Sequence, residues 1–201
     1  FQCEERALEK WVRGKYEVIE IPFDKNQIKP GELTKESGEF SFQSLKKACE
    51  MAKNGEIDAI VTAPVSKEAL HLAGHNFNGQ TEVLQEFLAH DNQLAEMLFV
   101  AKNFRVLLLT RHIALKDIHL DKTVIIEKIS NLDKFFKEKL SIAEPKFALC
   151  ALNPHAGEAG ILGREEIEIL QPAVNELRQK GINVTNPMPA DTLFISAAKA
   201  Y

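Results

Sequence analysis

The hydrophobic pattern changes period several times along the chain, and each change predicts an element. Apolar residues recur at helical spacing over 2–13 and in "SFQSLKKACEMAKN" (41–54), whereas "YEVIEIPF" (16–23) alternates like a strand. A loop with Pro30, Gly31 and Gly38 joins them. The β-branched run "IDAIVTAPV" (57–65) predicts a buried strand, followed by a helix in "SKEALHLAG" that Gly74 ends. The same grammar recurs twice. "FRVLLLT" (104–110) reads as a strand buried on both faces and leads into "RHIALKDI". "KFALCAL" (146–152) leads through a glycine-rich loop into "EEIEILQPAVNELRQKG", an amphipathic helix closed by Gly181. Strands alternating with helices predict parallel βαβ units, hence an α/β fold with a mainly parallel sheet.

The loop "HNFNGQ" (75–80) sets the expected division, with 1–76 part of a first α/β lobe and 77–201 part of a second. The chain starts as if already inside a helix, and "DTLFISAAKAY" stops without a capping signal. Both lobes are therefore expected to be incomplete, the chain truncated at both ends.

Composition narrows the function classes. The chain has 201 residues, 45% hydrophobic and 27% charged, which suits a globular domain with a sizeable core. A net charge of -4 and a pI near 5.9 leave no basic face for nucleic acid or anionic lipid. No apolar run approaches the roughly 18 residues of a membrane span, and no leader opens the chain, so a cytoplasmic location is expected. Cys3, Cys49 and Cys150 are odd in number and widely spaced, which fits reduced thiols.

Ligands of open parallel sheets bind beyond the carboxyl ends of strands, and polar residues collect there. Ser66 and Lys67 follow the first predicted buried strand, Arg111 and His112 the second, Asn153 and His155 the third. Neutral imidazole is a common ligand of zinc and similar ions, and two histidines leave such a site needing a third ligand. His71, His75, His90 and His119 read as structural or surface residues. Lys67 at a helix start opposes the helix dipole, which an adjacent anion would explain. Thr81, beside Gly79 and Gln80, reads either as an N-cap or as part of an N-terminus receiving a phosphate or carboxylate. Gly157, Gly160 and Gly163 are spaced GxxGxxG, which matches neither the Rossmann nor the Walker motif.

Five ordered blocks, "VTAPVSK", "FNGQTE", "LLLTRHIALKDI", "LNPHAGEAGILGREE" and "PMPADTLF", resemble the 4-hydroxythreonine-4-phosphate dehydrogenase family. The resemblance implies a two-lobed fold similar to isocitrate and isopropylmalate dehydrogenases, with the active site in the cleft of an obligate homodimer. It implies oxidation of 4-phosphooxy-L-threonine by NAD or NADP to a 3-keto acid, which decarboxylates to 3-amino-2-oxopropyl phosphate in pyridoxal 5'-phosphate biosynthesis. A divalent metal (zinc, cobalt or magnesium) would be held by His112 and His155, with a third histidine from the partner subunit in a "YHDQ" block outside this chain. Asp191 in "PADT" is then a candidate for orienting a metal ligand or handling a proton, its alternative being a turn or helix cap. Lys67 and Thr81 would hold substrate anions, with Gln80 beside them. Gln80 departs from the histidine common in the family, which leaves open a paralogous dehydrogenase of 4-phosphothreonate or 4-phosphoerythronate. A metal-dependent phosphate-ester hydrolase and a non-catalytic binding module are the rivals from other classes.

Overall fold

The computed structural model describes residues 18–27, 29, 31–89, 95–101 and 104–200. The helix expected over 2–13 and the first residues of the strand expected at 16–23 lie outside the described residues. The chain forms two compact units, 1–95 and 96–201.

In the first unit, helix α1 (Lys35–Lys53) starts at a capping box. The Thr34 side chain accepts from the Ser37 amide at 3.1 Å, and the Ser37 hydroxyl oxygen accepts from the Thr34 amide at 3.2 Å. Helix α2 (Lys67–Leu72) is capped by Ser66, whose Oγ accepts from the Ala69 amide. It ends as predicted at Gly74, where the His75 amide reaches back to the Leu70 carbonyl at 2.9 Å. Helix α3 (Gln80–Leu88) completes a small core of Phe42, Leu45, Leu70 and Val83, with Phe77 and Phe87 against it. Gly38 lies inside α1 rather than in the preceding loop. A Cβ there would come within 1.8 Å of the Ala69 carbonyl oxygen, so only glycine lets the two helices approach this closely. His75 stacks on Phe42 with centroids 3.5 Å apart, and its Nε2 lies 2.7 Å from a Glu39 carboxylate oxygen.

Two expectations fail in this unit. Residues 57–65 form no strand, with a bend at Asp58, and Val61 is 98% exposed. Residues 18–23 likewise enter no ladder. A β-branched run favours the extended backbone, but a strand also requires a neighbour, and among the described residues none lies alongside. The unit also runs past the expected division at 76/77, because Val83 of α3 is fully buried against the α1 and α2 side chains.

The second unit begins with an antiparallel pair, β1 (Leu98–Ala101) and β2 (Phe104–Leu107), Leu98 facing Leu107. Helix α4 (Lys122–Lys139) starts at Asp121, whose carboxylate accepts from the Thr123 and Val124 amides. Strands β3 (Lys146–Phe147) and β4 (Asn183–Val184) are parallel, and a Cys150–Met188 bridge extends the pairing. Between them lie a π-turn (Glu166–Leu170) and helix α5 (Gln171–Gln179), so the predicted strand-to-helix order is present, although β3 is only Lys146–Phe147 of the strand expected over 146–152. Pro172 carries no N–H to bond the carbonyl four residues back, which accounts for the wider turn before it. Helix α6 (Ala190–Ala200) closes the unit. Ile125, Ile129, Leu149, Leu170, Val174 and Leu177 carry the core.

Here too the sheet differs from expectation. β2 pairs antiparallel with β1 instead of parallel with β3, and a cavity of about 240 Å³ lined by Leu107, Phe136, Phe147 and Phe194 separates it from β3. The helix expected in "RHIALKDI" is reduced to one 3-10 turn, Leu115–Asp117.

Two outcomes follow for stability. Leu177, fully buried, should cost about 2–5 kcal/mol on replacement by alanine, read by denaturant unfolding. Hydrogen bonds from Gln43 and then His75 hold the Glu39 carboxyl below the usual glutamate range. That contribution is complete above the unfolded glutamate pKa of about 4.3 and is lost as pH falls through the depressed folded value. Glu39→Gln should therefore flatten the acid limb of the thermal-stability profile.

Candidate functional site

The chemistry of the second unit gathers where β3 runs out. Strand pairing persists to Ala151, whose amide donates to the Met188 carbonyl at 2.8 Å. The backbone then turns left-handed over 155–159, with φ of 52° at His155, 56° at Ala156, 79° at Gly157, 44° at Glu158 and 56° at Ala159. Left-handed backbone costs an L-residue roughly 1–2 kcal/mol and is ordinarily visited by single residues. A run of this length needs surroundings that hold it.

Glu166 supplies them. One carboxylate oxygen accepts from the amides of Leu152 at 2.9 Å and Asn153 at 2.7 Å. The other accepts from the Asn153 side-chain amide at 2.9 Å, which also donates to Glu165 at 2.7 Å. Burial to 5% exposure pushes the Glu166 carboxyl up, but donation from Asn153 and Leu152 outweighs burial and holds it below the usual glutamate range. The loop glycines answer to this packing. Ala156 and Ala159 share the left-handed φ of Gly157, so φ alone does not demand glycine there. Contact does, since a Cβ at Gly157 would sit 2.8 Å from a Glu166 oxygen and 2.9 Å from the Gly163 carbonyl. A Cβ at Gly163 would meet the Asn153 amide nitrogen at 2.2 Å.

His155 projects from this turn into solvent, its Nδ1 3.9 Å from an Asp191 carboxylate oxygen. That separation is longer than a direct hydrogen bond but close enough for Asp191 to bias the ring. Asp191 lies in the first turn of α6, inside the helix rather than at its cap. His112 lies in the same unit, beyond β2, also exposed and also left-handed at φ 52°. It forms no hydrogen bond or ion pair with His155 or Asp191, and among the described residues no three His, Cys, Asp or Glu side chains come together as a metal-binding group.

The first unit holds the other predicted residues. Thr81 is not the N-cap of α3, a position taken by Gly79. Gln80 is the first helical residue, and its side-chain amide donates to the Ala63 carbonyl at 2.7 Å. The Lys67 side chain runs past Gly79, with Cε 3.8 Å from where a Cβ would stand there. Lys67 and Gln80 thus meet near Gly79, where the 57–65 segment enters α2, with Thr81 next along α3.

A family model described as "Pyridoxal phosphate biosynthetic protein PdxA" matches residues 2–201. The chain belongs to that family. It is 37% identical over 200 residues to a D-threonate 4-phosphate dehydrogenase of Salmonella typhimurium, covering 96% of this chain and 60% of that one. It is 40% identical over 169 residues to a 4-hydroxythreonine-4-phosphate dehydrogenase of Erwinia tasmaniensis, covering 83% and 51%. The crystal structure of 4-hydroxythreonine-4-phosphate dehydrogenase from Klebsiella pneumoniae superposes with a TM-score of 0.81 at 36% identity, over 90% of this chain and 55% of that one. The chain therefore spans about half to three fifths of the length of these PdxA-family relatives.

Two chemically suitable groups, His155 and Asp191, lie 3.9 Å apart, and among the described residues no third joins them. A carboxylate near Nδ1 of an imidazole is the common outer partner of metal-bound histidines, and the His155–Asp191 pair is compatible with that chemistry. Glu166 and Glu165 escaped the sequence reading, which took "REE" as a charged helix start. A signal existed: Glu166 falls in register with Leu170, Ala173, Val174 and Leu177, on the buried stripe of the following helix.

Replacing Gly157 by alanine should destabilise the second unit by about 1–3 kcal/mol, because the backbone of Gly163 blocks the new methyl. Ala159→Gly should leave urea-unfolding stability unchanged or raise it by up to ~1 kcal/mol, since glycine relieves the left-handed strain.

Proposed function

We propose that this PdxA-family protein is a metal-dependent dehydrogenase that oxidises 4-phosphooxy-L-threonine with NAD or NADP, and that the product decarboxylates to 3-amino-2-oxopropyl phosphate. The observation that carries the reading is the His155–Asp191 pair on its held left-handed turn. His155 and His112 would hold the ion, and a third histidine would come from the partner subunit of a homodimer. Zinc, cobalt or magnesium bound there would lower the pKa of the substrate hydroxyl and stabilise negative charge on oxygen.

The remaining roles fall to this chain's side chains. Asp191 would keep the proton of His155 on Nδ1 and leave Nε2 its lone pair. Lys67 would neutralise a substrate phosphate or carboxylate, and Thr81 would donate to it from the first turn of α3. Gln80 would accept or donate a hydrogen bond without carrying charge. A bound nicotinamide would supply hydride acceptance, while Lys67, Thr81 and Gln80 would orient the substrate carbon that gives the hydride up.

D-threonate 4-phosphate as substrate is the second reading, favoured by the similarity to dehydrogenases of that name. The test is NADH or NADPH formation on the two substrates side by side, before and after metal removal by a chelator. Oxidation of the amino acid phosphate that chelation abolishes is the expected result. Turnover of D-threonate 4-phosphate alone would move the assignment to the second reading, and phosphate release without cofactor reduction would refute both. His112→Ala and His155→Ala should each abolish turnover while leaving the far-UV circular dichroism unchanged. Asp191→Asn should weaken metal binding about 10–100-fold, measured by calorimetry.

A further inference from the structure

Resting on the metal reading above, we propose that Glu166 is a positioning residue for His155: its buried carboxylate fixes the left-handed turn from which the imidazole reaches the ion. The inward stripe of the π-turn and α5 is otherwise apolar, with Leu170, Ala173, Val174 and Leu177 each at 1% exposure or less. A carboxylate in such a stripe is costly unless donors meet it. The three that do are the Leu152 amide, the Asn153 amide and the Asn153 side chain, all immediately ahead of the turn. On its far side the same carboxylate abuts Gly157. Glu166 thus grips the turn at its entry and at its middle, and His155 lies between the two grips.

The bond set requires a group that only accepts. A glutamine at 166 could still receive both backbone amides through its oxygen, but its NH2 would face the NH2 of Asn153. Turning the Asn153 amide over would set its oxygen against Glu165, which now accepts from it at 2.7 Å. Glu166→Gln therefore displaces Asn153 without opening a cavity. Adding Asn153→Asp reverses donor and acceptor, since a carboxylate at 153 can accept from the glutamine NH2, and Glu165 can turn outward.

The experiment compares wild type, His155→Ala, Glu166→Gln and the Glu166→Gln/Asn153→Asp double variant by cobalt(II) calorimetry on metal-free protein, with amide hydrogen exchange over 152–163. Glu166→Gln should weaken cobalt binding about 10–100-fold, speed exchange over 152–163 and leave exchange in α4 unchanged. The double variant should recover most of the affinity. Faster exchange with wild-type cobalt affinity would make Glu166 a purely structural residue and overturn the proposal. A wild type that binds cobalt no more tightly than His155→Ala would overturn the metal reading itself, and this role with it, so the two failures are told apart by the unmutated protein.

Discussion

A carboxylate taken out of water must be met by donors, and Glu166 is met by Leu152 and Asn153, just beyond the β3 pairing. That requirement orders the local structure in sequence. Asn153 is pinned, the chain after it turns left-handed, and glycine is needed where the turn comes back against the carboxylate. Remove the acceptor and three donors are left partly buried, with a run of positive-φ residues that has nothing to hold it.

The packing beneath serves the same end. The parallel β3–β4 pair and the Cys150–Met188 bridge bring the end of the third predicted strand beside the segment leading into α6. Because Met188 is tied to Leu149 and Ala151, the start of α6 is carried with it, and Asp191 arrives opposite His155. The pairing of a ligand with its orienting carboxylate is thus set by backbone hydrogen bonds, with the two side chains contributing little order of their own at the surface.

Much of this was legible in the sequence where the signal was local. The stop at Gly74 and the strand, loop and helix order from 146 to the helix before Gly181 need only neighbouring residues, and they formed. His155 and Asp191 were selected from strand ends and motif blocks, and the structure sets them side by side. What could not be read was non-local. Whether 57–65 or 104–110 forms a strand of a given sense depends on which chain lies alongside, and the β-branched pattern carries no such information. The left-handed turn escaped for a different reason: alanine and glutamate hold three of its five positions, and neither advertises a positive φ.

The segment 57–65 is held by a hydrogen bond from Gln80 to its Ala63 carbonyl and shows Val61 to solvent. An apolar, β-branched stretch without ladder partners is an adhesive edge. Among the described residues no strand lies along it, and one that did would gain backbone pairing and cover those side chains. The corner holding Lys67 and Gln80 is thus joined to the part of the chain most ready to take a neighbour, so solubility and the shape of that corner are coupled through one unpaired backbone.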